Sequence, residues 1–167
     1  MQERASKPYS GQGRAEGLPS KRRRKRQQGH LLIVSGMSGA GKTLALQTLE
    51  DIGYFCIDNL PPSLLPTLVA RAQQGQRVAA VIDSRADEPL SEFISVLQQL
   101  RRQRVPIELL FLDCTDEMLI RRFKETRRPH PLARDQLSLP DAIAQERELL
   151  APLREMADRV LDTALFR

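Results

Sequence analysis

Apolar residues recur with regular spacing only from His30 onward. Leu31-Leu32-Ile33-Val34 is a short, wholly apolar run ending at Ser35-Gly36, the pattern of a strand buried on both faces in a parallel sheet. Lys42–Ile52 then reads as a helix with Ala45, Leu49 and Ile52 on one face, and Tyr54–Ile57 as a second strand. Pro62 suits the first turn of a helix carrying Leu64, Leu65, Leu68, Val69 and Ala72. Val78–Ile82 is the third strand, followed from about Pro89 by a helix with Leu90, Phe93, Ile94, Leu97 and Leu100 on one stripe. Ile107–Leu112 is the fourth strand. Thr115 caps a helix whose first turn holds Asp116 and Glu117, where negative charge favours the helix dipole. The pattern breaks at Arg127-Arg128-Pro129-His130-Pro131. Ser138 caps a last helix through about Ala157, with Leu139, Ile143, Leu150, Leu153 and Ala157 inward, and Val160-Leu161 is a short final strand. No internal repeat is present. Strands alternating with helices imply right-handed crossovers and a three-layer α/β domain around a parallel five-stranded sheet.

Length and charge refine this picture. The chain has 167 residues, enough for one such domain. Its net charge of +5 is unevenly placed. Residues 1–29 hold nine lysines and arginines against Glu3 and Glu16, whereas residues 30–167 hold seventeen basic and nineteen acidic residues. Residues 1–29 contain almost no large apolar side chain to offset ordering entropy, so they are expected to form a disordered basic leader, with 30–167 as the folded domain. The run Lys21–Arg26 offers six cations to nucleic acid or another acidic surface, or serves as a solvated leader. Cys56 and Cys114 make neither a disulfide framework nor a metal pattern, and two histidines argue against zinc. No apolar stretch approaches the roughly 20 residues of a membrane span, so the cytoplasm is the expected location.

The chemistry concentrates in Gly36-Met37-Ser38-Gly39-Ala40-Gly41-Lys42-Thr43, which satisfies G-x-x-x-x-G-K-[ST]. Glycines let the backbone curl so that successive N–H groups face phosphate oxygens, and the following helix adds its positive end. Lys42 reaches the β- and γ-phosphates, while the Thr43 hydroxyl is a ligand for Mg2+. The motif follows a buried strand and opens an amphipathic helix, the context that makes it a P-loop. The fold is therefore expected to be a kinase-like P-loop NTPase, with nucleoside triphosphates as partners.

A second magnesium-side residue should be an Asp ending a neighbouring strand. Asp83 and Asp113 both qualify, and the strand order 2-3-1-4-5 common in small P-loop kinases favours Asp83. Asp58-Asn59 either begins an acceptor site or makes an Asx turn before Leu60-Pro61. Arg121, Arg122, Arg127 and Arg128 surround a helix end and a proline-broken loop. Arg127 and Arg128 are the stronger candidates for placing charge on a transferring phosphoryl group, against the alternative of a solvated face.

Three segments together resemble a known family. These are Ile33–Thr43, Leu49-Glu-Asp-Ile-Gly-Tyr-Phe-Cys-Ile-Asp-Asn-Leu-Pro61 and Thr126-Arg-Arg-Pro-His-Pro-Leu132. They look like the RapZ (YvcJ-like) nucleotide-binding proteins of bacteria, over roughly residues 31–163. The resemblance implies binding and slow hydrolysis of both ATP and GTP. It also implies a guanine-nucleotide contact on Asp83, Ser84, Arg85 and Ala86, where the family pattern is Asp-x-Arg-Asn and Ala86 replaces the Asn. Family members continue into a second domain, which in some binds RNA and a ribonuclease. This chain resembles the N-terminal half, so those activities are not inherited.

A nucleotide-sensing ATPase/GTPase, a small-molecule kinase and an RNA-binding adaptor working through Lys21–Arg26 are thus distinct expectations. The adaptor reading predicts RNA affinity that falls steeply with salt and vanishes on deletion of residues 1–29, measured by filter binding at several salt concentrations. An affinity indifferent to that deletion removes the leader from consideration.

Overall fold

The computed structural model describes residues 29–84, 89–133 and 136–166. Among these, strands β1 (His30–Gly36), β2 (Phe55–Ile57), β3 (Arg77–Val81), β4 (Ile107–Asp113) and β5 (Arg159–Asp162) form one sheet. Its order is β2-β3-β1-β4-β5, with every adjacent pair parallel. Helices α1 (Lys42–Asp51), α2 (Leu65–Gln73), α3 (Leu90–Arg102), α4 (Asp116–Thr126) and α5 (Leu139–Met156) connect and cover it.

The apolar run decides the centre. Every residue of β1 from Leu31 to Gly36 is buried, so helices must cover both faces of the sheet there. Leu31, Ile33 and Val34 have no accessible surface and form a core with Phe93, Leu97 and Phe111. β3 and β4 flank β1, with Val34 opposite both Val81 and Leu110. The site expected for a ligand in such a sheet lies beyond the carboxyl ends of the strands where connections diverge. The loop after β1 lies at that place.

Capping residues act as their positions predict. Thr115 Oγ1 accepts from the Met118 amide at 3.4 Å, and Ser138 Oγ accepts from the Asp141 amide at 3.3 Å. Two apolar assignments differ. Ile52 lies past the last turn of α1, just before Gly53 turns the chain at φ 92°, and is 56% exposed. Leu64 closes a separate 3-10 turn over Pro62–Leu64, and α2 starts only at Leu65 with Pro66 in its first turn. Proline there forfeits no helix hydrogen bond, but the offset rotates Leu64 toward solvent. The remaining strand and helix ends move by one or two residues, the usual fraying range.

Asp113, the alternative magnesium candidate, is occupied elsewhere. Its Oδ1 accepts from Arg147 Nη1 at 2.9 Å and from the Cys114 amide at 2.7 Å, and its Oδ2 accepts from Arg154 Nε at 2.9 Å. Both arginines belong to α5, so this carboxylate fastens α5 to the end of β4. Burial alone would raise the Asp113 carboxyl, but hydrogen bonds from Arg147, Arg154 and the Cys114 amide outweigh it and hold the group below its ordinary range. A folded value below the unfolded one stabilises above the unfolded pKa, near about 3.9, and that stabilisation disappears as pH falls through the folded value. Asp113→Asn should therefore lower the melting temperature at pH 7. It should also flatten the loss of stability expected in the parent as pH falls below the unfolded value, as followed by circular dichroism.

Candidate functional site

The loop leaving β1 is shaped by the end of β4. Gly36 has φ 144°, and a Cβ placed on it would stand 2.2 Å from the Leu112 carbonyl oxygen. The next amide, Met37, donates to that same oxygen at 3.1 Å. Gly39 (φ 85°) and Gly41 (φ 103°) complete the curl, and Gly41 is the N-cap of α1. No side chain caps this helix, and its first turn contains no acidic residue. Its leading amides, which have no partner within the helix, therefore present an unopposed positive end. A Cβ on Gly41 would meet nothing within 4 Å, so open space lies there.

Lys42 is 8% exposed, and its side chain folds back along the loop. Nζ donates to the Gly36 carbonyl at 2.8 Å and the Met37 carbonyl at 3.1 Å, and stands 4.0 Å from Asp83 Oδ2. Asp83, two residues past β3 and 4% exposed, thus shares the cleft with the loop because β3 lies beside β1. Thr43 is exposed at the start of α1 and lines the same cleft, a space of about 310 Å³ bounded also by Ser38, Gly39, Gly41 and Asp58. Its far wall is the end of α4 and the following loop, including Phe123, Thr126 and Arg128.

The eight-residue motif is therefore not uniformly available. The Met37, Ser38 and Ala40 amides donate to Leu112 O, Glu146 and Met37 O respectively. Gly39, Gly41, Lys42 and Thr43 face the cleft, while Gly36 and Met37 are buried beneath it. Arg128 lines the cleft, whereas Arg127 ends α4 in a left-handed conformation (φ 53°) and is not among the lining residues. Arg121 pairs with Glu125 on an exposed face. Arg122 donates to the Gly39 carbonyl at 3.1 Å and to the carbonyls of Thr163 and Phe166 at 2.7 and 3.0 Å, so it braces the loop while also lining the cleft. Ser84 is half-buried beside Asp83, and Arg85 and Ala86 lie outside the described residues.

Sequence reasoning missed Glu146. Its carboxylate is fully buried and accepts from the Ser38 amide (3.1 Å), Ser38 Oγ (2.6 Å), Ser84 Oγ (2.9 Å) and His130 Nε2 (2.9 Å). The signal was present: Ile143, Leu150 and Leu153 mark the inward stripe of α5, and position 146 falls in its gap. An acidic residue at a core position must have partners, but nothing in the local pattern says which.

Glycine substitutions separate shape from binding. Gly36→Ala forces a Cβ onto the Leu112 carbonyl and should cost about 3 kcal/mol of folding stability or more. Gly41→Ala meets no neighbour, so denaturant melts should show only the roughly 1–2 kcal/mol of a left-handed non-glycine residue, with triphosphate affinity falling much further. Equal folding losses at both positions would contradict this division.

Comparison with known proteins agrees with the geometry. The family model of the RapZ-like N-terminal domain matches residues 30–167. A protein of Caldicellulosiruptor bescii named as a nucleotide-binding protein is 48% identical over 139 residues, covering 80% of this chain and 48% of its own length. A namesake from Alcanivorax borkumensis is 50% identical over 139 residues, covering 80% and 49%. The chain thus spans about half the length of the curated relatives it matches. Among solved structures, shikimate kinase from Bacteroides thetaiotaomicron superposes with a TM-score of 0.54 at 17% identity, covering 80% of this chain and 86% of that one. Shikimate kinase from Acinetobacter baumannii does so with 0.54 at 15%, covering 81% and 84%. At those identities the likeness establishes the P-loop kinase fold. No helix among the described residues is long and apolar enough to cross a membrane.

Proposed function

The chain belongs to the RapZ-like N-terminal domain family of nucleotide-binding proteins, and from that premise we propose that it binds ATP and GTP with magnesium and slowly hydrolyses both as a regulatory nucleotide-sensing module. One observation carries the reading: an uncapped helix N-terminus, a buried lysine ammonium and a buried aspartate meet in one cleft.

In this proposal the amides of Gly39, Gly41, Lys42 and Thr43 cradle the β-phosphate. Lys42 leaves the loop carbonyls to lie against β- and γ-oxygens. The Thr43 hydroxyl and the Asp83 carboxylate both supply oxygen to the cleft, a donor set suited to magnesium, which favours one or two protein oxygens plus phosphates and water. Bound there, the ion would neutralise charge developing on the phosphoryl oxygens. Arg128 faces the same space from the wall formed by the end of α4 and its loop, and Arg127 stands next to it at the helix end. Hydrolysis breaks the bond between the γ-phosphorus and the β–γ bridging oxygen, with water as the incoming nucleophile and inorganic phosphate and the diphosphate as products. With Asp83 assigned to the metal, Asp58 is the other carboxylate among the lining residues. Its Oδ1 accepts from the adjacent Asn59 amide at 2.8 Å, and among the described residues no other side chain of the cleft stands out as a base for the attacking water, so slow turnover is expected. Ser84, Arg85 and Ala86 are proposed to contact the guanine nucleotide on the strength of the family pattern.

A small-molecule kinase is the second reading, favoured by Asp58 lining the cleft opposite Arg128. RNA binding through the basic leader concerns residues outside those described.

Titration calorimetry with ATP and GTP, with and without magnesium, followed by phosphate release tests the first reading. Both nucleotides should bind only weakly without magnesium and release phosphate slowly. A labelled acceptor formed from a metabolite pool would favour the kinase. Lys42→Ala should reduce triphosphate affinity by at least about tenfold to a hundredfold, the value of a charge-assisted contact. Thermal melts without nucleotide should show a loss of about 2 kcal/mol or more, since two carbonyl hydrogen bonds go and buried Asp83 loses its neighbouring cation. Full affinity in that variant would remove Lys42 from the site.

A further inference from the structure

The chemistry proposed above makes no use of Glu146, yet this carboxylate joins three separate segments of the cleft. Ser38 belongs to the P-loop, Ser84 follows Asp83, and His130 lies two residues past Arg128. We propose that Glu146 is a positioning residue that couples the P-loop to the arginine loop, so that one buried carboxylate keeps Arg128 in register with the phosphate seat. Only the effect on nucleotide affinity rests on the reading of the cleft as a triphosphate site.

The bond pattern has a direction. The Leu132 amide donates to His130 Nδ1 at 3.0 Å, which leaves the ring proton on Nε2, facing Glu146 Oε2 at 2.9 Å. The path therefore runs from the backbone of the arginine loop, through one imidazole, to a carboxylate that also holds the main-chain amide and hydroxyl of Ser38. Four accepted bonds fill the capacity of a carboxylate. Losing any partner strands polar atoms in a fully buried place, so the three segments have a cooperative reason to stay together.

The anchor points on either side are stiff. Pro129 and Pro131 flank His130, fixing their own φ angles and restricting the residue before each. The ring position is thus passed along a constrained backbone to Arg128. Phe123, 5.1 Å from the His130 ring between centroids, also lines the cleft and lies 3.2 Å from where a Cβ on Gly39 would stand. The neighbouring residue on α5 is Arg147, bound to Asp113 at the end of β4. The helix therefore works as a strut, fixed to the sheet on one side and holding the cleft loops on the other. Ser84 Oγ lies 2.9 Å from Glu146 Oε1 and 3.2 Å from Asp83 Oδ1, so its single hydroxyl hydrogen serves one carboxylate or is shared between the two.

Two measurements test the coupling. In nucleotide-free protein, Ser38→Ala should raise hydrogen exchange at the Leu132 amide by about tenfold, the equivalent of one lost hydrogen bond, although residues 38 and 132 share no direct bond. An unchanged Leu132 amide overturns the proposal. In the second, ATP affinity is measured for Arg128→Ala, His130→Ala and the double variant. Each single change should cost about fivefold or more, the lower range of coupling between sites, and the double variant should be no worse than His130→Ala. His130→Gln, which keeps a donor near Nε2, should recover much of the affinity. Additive losses, or no recovery by glutamine at an unchanged melting temperature, also overturn it. If Glu146→Gln does not fold, these smaller changes still decide the matter. If the parent binds no triphosphate, the functional reading fails while the exchange experiment still judges the coupling.

Discussion

Charge buried around a single loop is the constraint on which this structure turns. Lys42, Asp83 and Glu146 are all less than a tenth exposed and lie at the carboxyl end of one sheet. Burying an ionised group is tolerated only where its partners are supplied. Lys42 meets two loop carbonyls and the Asp83 carboxylate, while Glu146 meets four donors. Lys42 differs from Glu146 in one respect. Its hydrogen-bond acceptors include two main-chain oxygens of the loop itself, and the Asp83 carboxylate stands 4.0 Å away across the cleft.

The sheet makes this balance possible. Because β3 and β4 both lie against β1, the P-loop is braced from both sides. The Leu112 carbonyl receives the Met37 amide and approaches Gly36 too closely to admit a side chain, while Asp83 closes the other flank. α5 then spans the ensemble, with Arg147 and Arg154 on the Asp113 carboxylate and Glu146 beneath the loops. Two aspartates at equivalent strand ends thus have different roles. Asp113 is saturated by arginines that stabilise the fold, whereas Asp83 faces the cleft.

The same logic sorts the arginines. Arg122 is bound to carbonyls at Gly39, Thr163 and Phe166, a scaffold role in which its fork of donors is already used. Arg128 lines the cleft, as Arg122 also does, and Arg127 takes the left-handed turn that ends α4. Two adjacent residues of one type thus differ in placement, one on the cleft wall and one at the helix end.

Local regularities carried a great deal of this in advance. The apolar run at Leu31–Val34, the alternation of strands with amphipathic helices, the caps at Thr115 and Ser138 and the glycine spacing before Lys42 are properties of neighbours in the chain. They determined the architecture and the place of the phosphate loop, whereas the strand order was an expectation taken from the arrangement common in small P-loop kinases, which the sheet follows. Ile52 and Leu64 were misplaced because a helix end and a 3-10 turn shift the facing of a residue without changing its hydrophobicity. The choice between Asp83 and Asp113, the division between Arg127 and Arg128, and the whole Glu146 network waited for the tertiary structure. Each depends on partners far along the chain, Ser38 and Glu146 being 108 residues apart. Periodicity reports which face a side chain takes and says nothing of what it meets there.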